Sequence, residues 1–143
     1  MKIIIIYFQT LICLLILSLV ISCSKSNGSD TPTPPPTPVE ETILFTIDID
    51  QGSSVYAALS ATQDAKITIS SKIPTAGITV DVVVKKDLDN TTVSNGTYST
   101  SLSPFTATIS NLLPGVLYTA TFTVTSKSKP SNFAIKSFKV ARK

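Results

Sequence analysis

The aspartates are the first residues whose type and spacing could support chemistry. Asp48 and Asp50 stand two positions apart, and Asp87, Asp89 and Asn90 form a second short cluster. Oxygen ligands at such spacing suit calcium, but a calcium loop needs further acidic positions and a closing Glu, which neither cluster has. We therefore interpret both clusters as solvated carboxylates at strand ends and turns, and we predict no metal site.

The composition also argues against catalysis. The chain contains no His, so the commonest general base and any Ser-His-Asp triad are missing. Its nine acidic residues include no pair that the sequence places across a cleft, as glycoside hydrolysis requires. A Ser-Lys dyad is compatible with the composition, but no motif points to one. We predict that the protein is not an enzyme and uses no cofactor.

The N-terminus is a long apolar run from Ile3 to Ile21, preceded only by Met1-Lys2. A run of this length could remain in the bilayer as an anchor. However, it ends in Val20-Ile21-Ser22-Cys23, and a polar stretch rich in Ser and Asn follows at once. This ending resembles the lipobox of bacterial lipoproteins, in which an aliphatic residue and a small residue precede the lipidated Cys.

The resemblance implies a diacylglycerol on the Cys23 thiol, cleavage before Cys23, and an acyl chain such as palmitate on its new amine. Cys13 would be lost with the signal peptide, so the mature chain would have neither a disulfide nor a free thiol. Several acyl chains anchor a protein stably, because each buried methylene contributes roughly 0.8 kcal/mol. Ser24 after the Cys, in place of Asp, implies sorting to the outer membrane.

Three segments follow from these boundaries. Residues 1–22 are the predicted signal peptide, residues 23–42 the lipidated Cys with a disordered Ser/Thr/Pro-rich linker, and residues 43–143 a single folded domain. Prolines favour an extended polyproline II chain, which could hold the domain on the order of 50 Å from the membrane. A proline-rich recognition ligand is the alternative; we interpret the segment as a stalk. The linker prolines are Pro32, Pro34, Pro35, Pro36 and Pro38.

From Ile43 onward, apolar residues recur at every second position. The clearest run covers 118–125, where Tyr118, Ala120, Phe122 and Val124 alternate with threonines. Similar runs begin at Ile43, Ile67, Ile78, Phe105 and Phe138. Turn residues, among them Asp89-Asn90 and Asn95-Gly96, separate the runs. The pattern predicts an all-β fold, a single antiparallel β-sandwich of about seven strands. Val55–Leu59 fits either a short edge strand or a crossing between the sheets.

One of these connections resembles a known family. Leu112-Leu113-Pro114-Gly115-Val116-Leu117-Tyr118 is similar to the E–F region of fibronectin type III domains, which shows L-x-P-G-x-x-Y before an alternating strand. The resemblance implies that Leu112 closes the core, that Pro114-Gly115 turns the chain, and that Tyr118 forms a tyrosine corner with its hydroxyl bonded to the loop backbone. The chain has no Trp, which that family carries early in the fold. Another immunoglobulin-like topology therefore remains open.

The C-terminal end of the chain is basic. Such a tail could contact phosphates or anionic glycans, or it could be an edge strand on which lysines oppose aggregation. No aromatic platform is interleaved with the basic residues, so we favour the second interpretation and predict no nucleic-acid partner. The basic residues of the last 17 positions are Lys127, Lys129, Lys136, Lys139, Arg142 and Lys143.

Two functions fit this organisation. The first is a noncatalytic module for structural or protein–protein contact, held by the lipid on Cys23 at the outer membrane of a Gram-negative bacterium and facing either the periplasm or the cell surface. The second is a carbohydrate-binding accessory lipoprotein at the cell surface. Tyr56, Tyr98 and Phe133 are the aromatic residues that could be exposed. Tyr98 could stack on a sugar ring as a ligand contact, or it could cap the open end of the sandwich.

Overall fold

The structure, a computed structural model, describes residues 39–143. The predicted signal peptide, the lipobox with Cys23 and the linker up to residue 38 lie outside the described residues. Residues 39–143 contain eight strands and no helix, and therefore no helix that is long and apolar enough to cross a membrane. The strands are β1 (Phe45–Ile47), β2 (Val55–Ala58), β3 (Gln63–Ile69), β4 (Ile78–Lys86), β5 (Thr92–Thr100), β6 (Phe105–Ile109), β7 (Leu117–Ser126) and β8 (Phe133–Arg142).

The strands form two sheets, one in the order β1-β3-β6 and the other in the order β2-β8-β7-β4-β5. All pairings are antiparallel except that of β2 with β8, which is parallel. The predicted all-β sandwich is therefore confirmed. The structure has one strand more than the seven predicted. The additional strand is β2, so the segment from Val55, which fitted either an edge strand or a crossing, is a short edge strand of the five-stranded sheet.

The core lies between the sheets and is built from the alternating residues. On β7, Tyr118, Ala120, Phe122 and Val124 are fully buried, while the threonines between them face outward and are half-buried. The Phe122 ring stacks on the Phe138 ring of β8, with a distance of 5.8 Å between the ring centroids. Each large apolar side chain buried in this way stabilises the fold by about 1.5–3 kcal/mol.

The β4–β5 hairpin has one of the two turns that the sequence predicts in this stretch. Asn95-Gly96 is predicted to be a turn, and this prediction is wrong, since both residues lie in the middle of β5. The chain reverses at the other predicted turn, Asp89-Asn90, where Asn90 has a left-handed φ of 57°. Gly96 pairs with Val82 of β4 and lies against the ring of Tyr98. The ladder with β4 thus outweighs the local turn preference of the Asn-Gly dipeptide.

The first described residues, from residue 39 onward, pack beside the start of β8. Asn132, which is buried and directly precedes β8, donates from Nδ2 to Glu40 Oε2 (3.2 Å) and to the carbonyl of Glu41 (2.9 Å). Asn132 Oδ1 accepts a hydrogen bond from the backbone N–H of Ile43 at 3.1 Å. The contacts of the domain therefore begin at Glu40, before the first apolar residue of the alternating pattern.

Candidate interaction surface

The first acidic cluster organises the connection between β1 and β2. Asp48 Oδ1 accepts a hydrogen bond from Lys66 N at 2.8 Å, and Asp50 Oδ1 accepts one from Gly52 N at 2.9 Å. The other oxygen of Asp50 lies 4.0 Å from the ammonium of Lys136 on β8. These carboxylates hold the chain where it passes from one sheet to the other.

The second cluster shapes the β4–β5 turn. Asp89 accepts a hydrogen bond from Thr91 N at 2.9 Å, and the hydrogen bonds from Thr91 hold the pKa of Asp89 below its usual value. Asp87 accepts hydrogen bonds from the ammonium of Lys139 and from the hydroxyl of Thr119, and these bonds, with that of Lys139 first, lower the pKa of Asp87. Within residues 39–143 no group of three His, Cys, Asp or Glu side chains is placed to hold a metal ion.

The residues of the fibronectin-like motif lie together between β6 and β7. Tyr118 is fully buried, and its hydroxyl accepts a hydrogen bond from the backbone N–H of Leu113 at 2.9 Å. Leu112 is also fully buried, whereas Pro114 and Gly115 are exposed, and Gly115 has a left-handed φ of 70°. The hydroxyl therefore ties the buried ring to the exposed connection, which is a structural role.

Tyr98 closes the side of the sandwich where β5 meets β6. Its ring is half-buried and packs against the core. Its hydroxyl accepts a hydrogen bond from Thr108 N at 3.0 Å and lies 3.4 Å from the carbonyl of the same residue. The structure thus uses the polar end of Tyr98 within the domain, where it satisfies backbone groups at the edge of β6. Tyr56 on β2 is half-buried against the core as well.

The opposite side of the five-stranded sheet has a different character, because the backbone of β8 is only partly paired there. Backbone groups along a strand face its two neighbours alternately. Ser126 N donates to the carbonyl of Asn132, so even-numbered residues of β8 face β7. Lys143 N donates to the carbonyl of Ala58, so odd-numbered residues face β2.

β2 covers only the second half of this side of β8, from Lys139 to Arg142. The N–H and C=O groups of Phe133, Ile135 and Ser137 therefore point to a side where no strand among residues 39–143 pairs with them. We call these three residues, with their outward-facing backbone groups, the β8 edge. Unpaired strand edges are templates for pairing with another chain.

The side chains of the β8 edge add apolar surface to the unpaired backbone. Phe133 and Ile135 are 52% and 56% exposed, and both lie on the outer face of the sheet, beside Thr125 and Thr123 of β7. Lys136 follows Ile135 directly, but its side chain points to the other face of the sheet, toward Asp50. A strand edge is usually protected by exposed charge or by short length, and this one presents two apolar side chains.

The sequence identifies Phe133 as an aromatic residue that could be exposed and favours an edge strand guarded by lysines, but it was not used to predict the exposure of Ile135 or an apolar edge. The spacing of the apolar residues in this segment could have predicted that Phe133 and Ile135 are exposed. Apolar residues occupy odd positions at Phe133 and Ile135, then even positions at Phe138 and Val140. In one continuous strand, this change of parity places the first pair on the face opposite the core.

A shallow cleft of about 520 Å³ lies at the end of the domain where the described chain begins. Its walls include Ile73 and Pro74, and residues 39–41 form one side. Glu41 closes part of it by accepting a hydrogen bond from Lys72 N at 2.9 Å. The cleft contains no arrangement of acids, bases and nucleophiles that resembles a catalytic site, so the β8 edge is the better candidate for an interaction.

Comparisons with known proteins found neither a family model that matches the chain nor a curated protein that is similar to it.

Proposed function

We propose that the protein is a lipid-anchored, noncatalytic module of the cell envelope whose β-sandwich makes protein–protein contacts at the outer membrane of a Gram-negative bacterium. The observation that carries this proposal is the β8 edge, where Phe133 and Ile135 stand exposed beside unpaired backbone groups. Apolar side chains next to free hydrogen-bonding groups are the features that proteins use to bind an extended segment by strand addition.

The contrast with the other long edge of the same sheet supports this choice. β5 forms that edge, and its outward-facing residues Asn95, Thr97 and Ser99 are polar. The side chains of Tyr98 and Ser94 on β5 also accept hydrogen bonds from Thr108 N of β6 and from Ser110 N just after it, which shields the neighbouring edge of the three-stranded sheet. The β8 edge is thus the apolar one of the two, and a partner would gain hydrophobic burial only there.

The anchor is proposed from the lipobox ending at Cys23 and from the proline-rich stretch after it. We further propose that the scaffold is a fibronectin type III-like or immunoglobulin-like sandwich. The buried ring of Tyr118, its bond to Leu113 N, and the strand order support this relationship. Such a scaffold presents its edges and loops to partners while the stalk and lipid hold it near the membrane.

Photo-crosslinking in the native host tests the contact. A photoreactive amino acid at Phe133 should give an adduct with a protein, and the same group at Ser99, exposed on the β5 edge of the same sheet, should not. Both positions are exposed, so the comparison controls for nonspecific capture. If neither position gives a protein adduct, or both give the same adducts, the β8 edge is not a contact surface.

The anchor has a separate test with its own matched control. Metabolic labelling with palmitate should mark the wild-type chain and Cys13→Ser but not Cys23→Ser. Protease added to intact cells then distinguishes the two orientations, since it would remove a surface-exposed domain and leave a periplasmic one. Retention of residues 1–22 in the purified chain, or a label that survives Cys23→Ser, would contradict lipidation at Cys23.

Carbohydrate binding at the cell surface is the second candidate, because Phe133 places one exposed aromatic ring among threonine hydroxyls on the outer sheet face. Aromatic faces and hydroxyl groups are the chemistry that recognises sugars. A glycan array in which the wild type binds and Phe133→Ala does not would favour this function. An array without hits, together with a protein adduct from position 133, would favour protein contact.

A further inference from the structure

We propose that the partner of the β8 edge is the β8 edge of a second copy of this chain, paired antiparallel about a twofold axis through Ile135. This inference rests on the proposed function, since it names the partner of the same surface. The result would be one continuous sheet that runs from β5 of one copy to β5 of the other. Symmetric dimers are the commonest assemblies of identical chains, and they require a self-complementary patch.

The β8 edge is self-complementary because every second residue along it directs its N–H and C=O groups outward. With the axis at Ile135, that residue faces its own copy, and Phe133 faces Ser137 of the second copy. All these residues direct N–H and C=O groups outward. They would form hydrogen-bonded pairs that exchange two bonds each, or about six backbone hydrogen bonds in total. Their side chains would share the outer face, so the two isoleucines would touch and each phenylalanine would lie diagonal to an isoleucine.

The charges on β8 favour this register. With the axis at Ile135, each Lys136 stands opposite Ala134 of the other copy, and Asp50 of its own chain lies 4.0 Å from its ammonium. An axis at Lys136 would set two lysines directly opposite each other, which is unfavourable. With that axis, the residues that pair across the interface would be even-numbered ones, whose backbone groups already bond to β7. Both facts exclude an axis at Lys136, and Ile135 is the central residue of the β8 edge, so an axis there pairs all three of its residues.

The start of the domain is also compatible with two anchored copies. The described chain enters beside Asn132, three positions from Ile135. In the proposed pair the two entry points would lie roughly 20 Å apart, at about 3.4 Å per residue. Fifteen residues, 24–38, separate Cys23 from Val39. An extended chain of that length reaches on the order of 45 Å, so both lipids could insert in one membrane. Tethering in one membrane raises the effective concentration of each copy for the other.

Cysteine crosslinking of the full-length chain in its native membrane tests the pairing and its register. Ile135→Cys should form a disulfide-linked dimer on mild oxidation, because the Cα atoms of a hydrogen-bonded pair are about 5.5 Å apart, within the range of a disulfide. Phe133→Cys alone and Ser137→Cys alone should not, since equivalent residues would be roughly 14 Å apart along the strands. Co-expression of Phe133→Cys and Ser137→Cys should restore the dimer.

The wild type and Ser99→Cys, on the β5 edge, are the controls and should form no disulfide-linked dimer. If Ile135→Cys forms no disulfide-linked dimer, or if all single variants form it equally, the proposal is overturned. A dimer between Ile135→Cys and Ser99→Cys would overturn it in favour of head-to-tail pairing between unlike edges. If Ile135→Cys forms no disulfide-linked dimer while the photoreactive group at Phe133 captures a protein of different mass, the self-pairing fails and the proposed contact function stands. If both experiments give nothing, both fail.

A charge at the axis gives an independent measurement. Ile135→Asp should weaken dimerisation of the lipidated protein in vesicles roughly 100-fold, because two carboxylates would be buried against each other without partners. Ser99→Asp, which adds the same charge to the β5 edge, should leave the dimer unchanged. Both positions are exposed, so both variants keep the fold. Equal dimerisation of Ile135→Asp and Ser99→Asp would contradict an interface at Ile135.

Discussion

Tyr118→Phe removes a single hydroxyl and leaves the buried ring in place, so it isolates the hydrogen bond between Tyr118 and Leu113. The bond is 2.9 Å long, and the tyrosine is fully buried. A bond of this kind contributes about 1 kcal/mol net, and leaving its partner unsatisfied costs about 1–3 kcal/mol. Leu113 is half-exposed, so water can reach its N–H, and the loss should fall near 1–1.5 kcal/mol. For a domain of this size, we expect the melting temperature to fall by about 4–8 °C.

Thermal and urea unfolding followed by circular dichroism would measure this change. Tyr56→Phe is the matched control, since no hydrogen bond among residues 39–143 involves the Tyr56 hydroxyl, and its midpoint should stay near that of the wild type. A Tyr118→Phe midpoint within roughly 1 °C of the wild type, with an unchanged urea dependence, would refute the reasoning. It would mean that the hydroxyl does not hold the β6–β7 connection.

Gly77→Ala should destabilise the domain by at least about 1 kcal/mol more than Gly52→Ala in urea unfolding. Both glycines have left-handed φ, but a Cβ at Gly77 would lie 2.8 Å from the carbonyl oxygen of Thr100, and one at Gly52 would meet open space; equal losses would refute this. The pKa of Asp87 is lowered in the folded protein, chiefly by the hydrogen bond from Lys139. The ionised carboxylate therefore stabilises the fold fully above the unfolded-state pKa of about 3.9, and this stabilisation is lost as pH falls through the lower folded-state pKa. Asp87→Asn should therefore be less stable than the wild type near neutral pH and should lose less stability on acidification below about pH 4, and parallel pH profiles would argue against the bond.

The alternating residues predict the fold because each strand carries its own information about which face is buried. On β7, Tyr118, Phe122 and Val124 identify the inner face without reference to any other strand. β2 could not be assigned in this way, since Val55–Ala58 lacks alternation and its partner β8 lies some eighty positions later. The same dependence on a distant partner explains the wrong turn at Asn95-Gly96, where pairing with β4 overrides a local preference.

The candidate site was less accessible to sequence reasoning than the fold. The apolar character of Phe133 and Ile135 is visible in the chain, but their exposure depends on where β2 ends along β8. Likewise, the lysines of β8 predict a charged edge, whereas the structure places Lys136 and Lys139 beside Asp50 and Asp87. The first half of β8 is uncovered because β2 is much shorter than β8, and the sequence alone does not reveal where β2 ends along β8.

The parallel pairing of β2 with the last strand, β8, has a mechanical consequence. The described chain enters beside Asn132 and ends at Lys143, at opposite ends of the ten-residue strand β8, a separation of about 30 Å. Tension between these ends acts along the strands. β2 runs parallel to β8, so stretching the domain slides the two past each other and loads all their hydrogen bonds at the same time. A domain pulled between these two ends would resist through the shear strength of the β2–β8 pairing, and its hydrogen bonds would not break one after another.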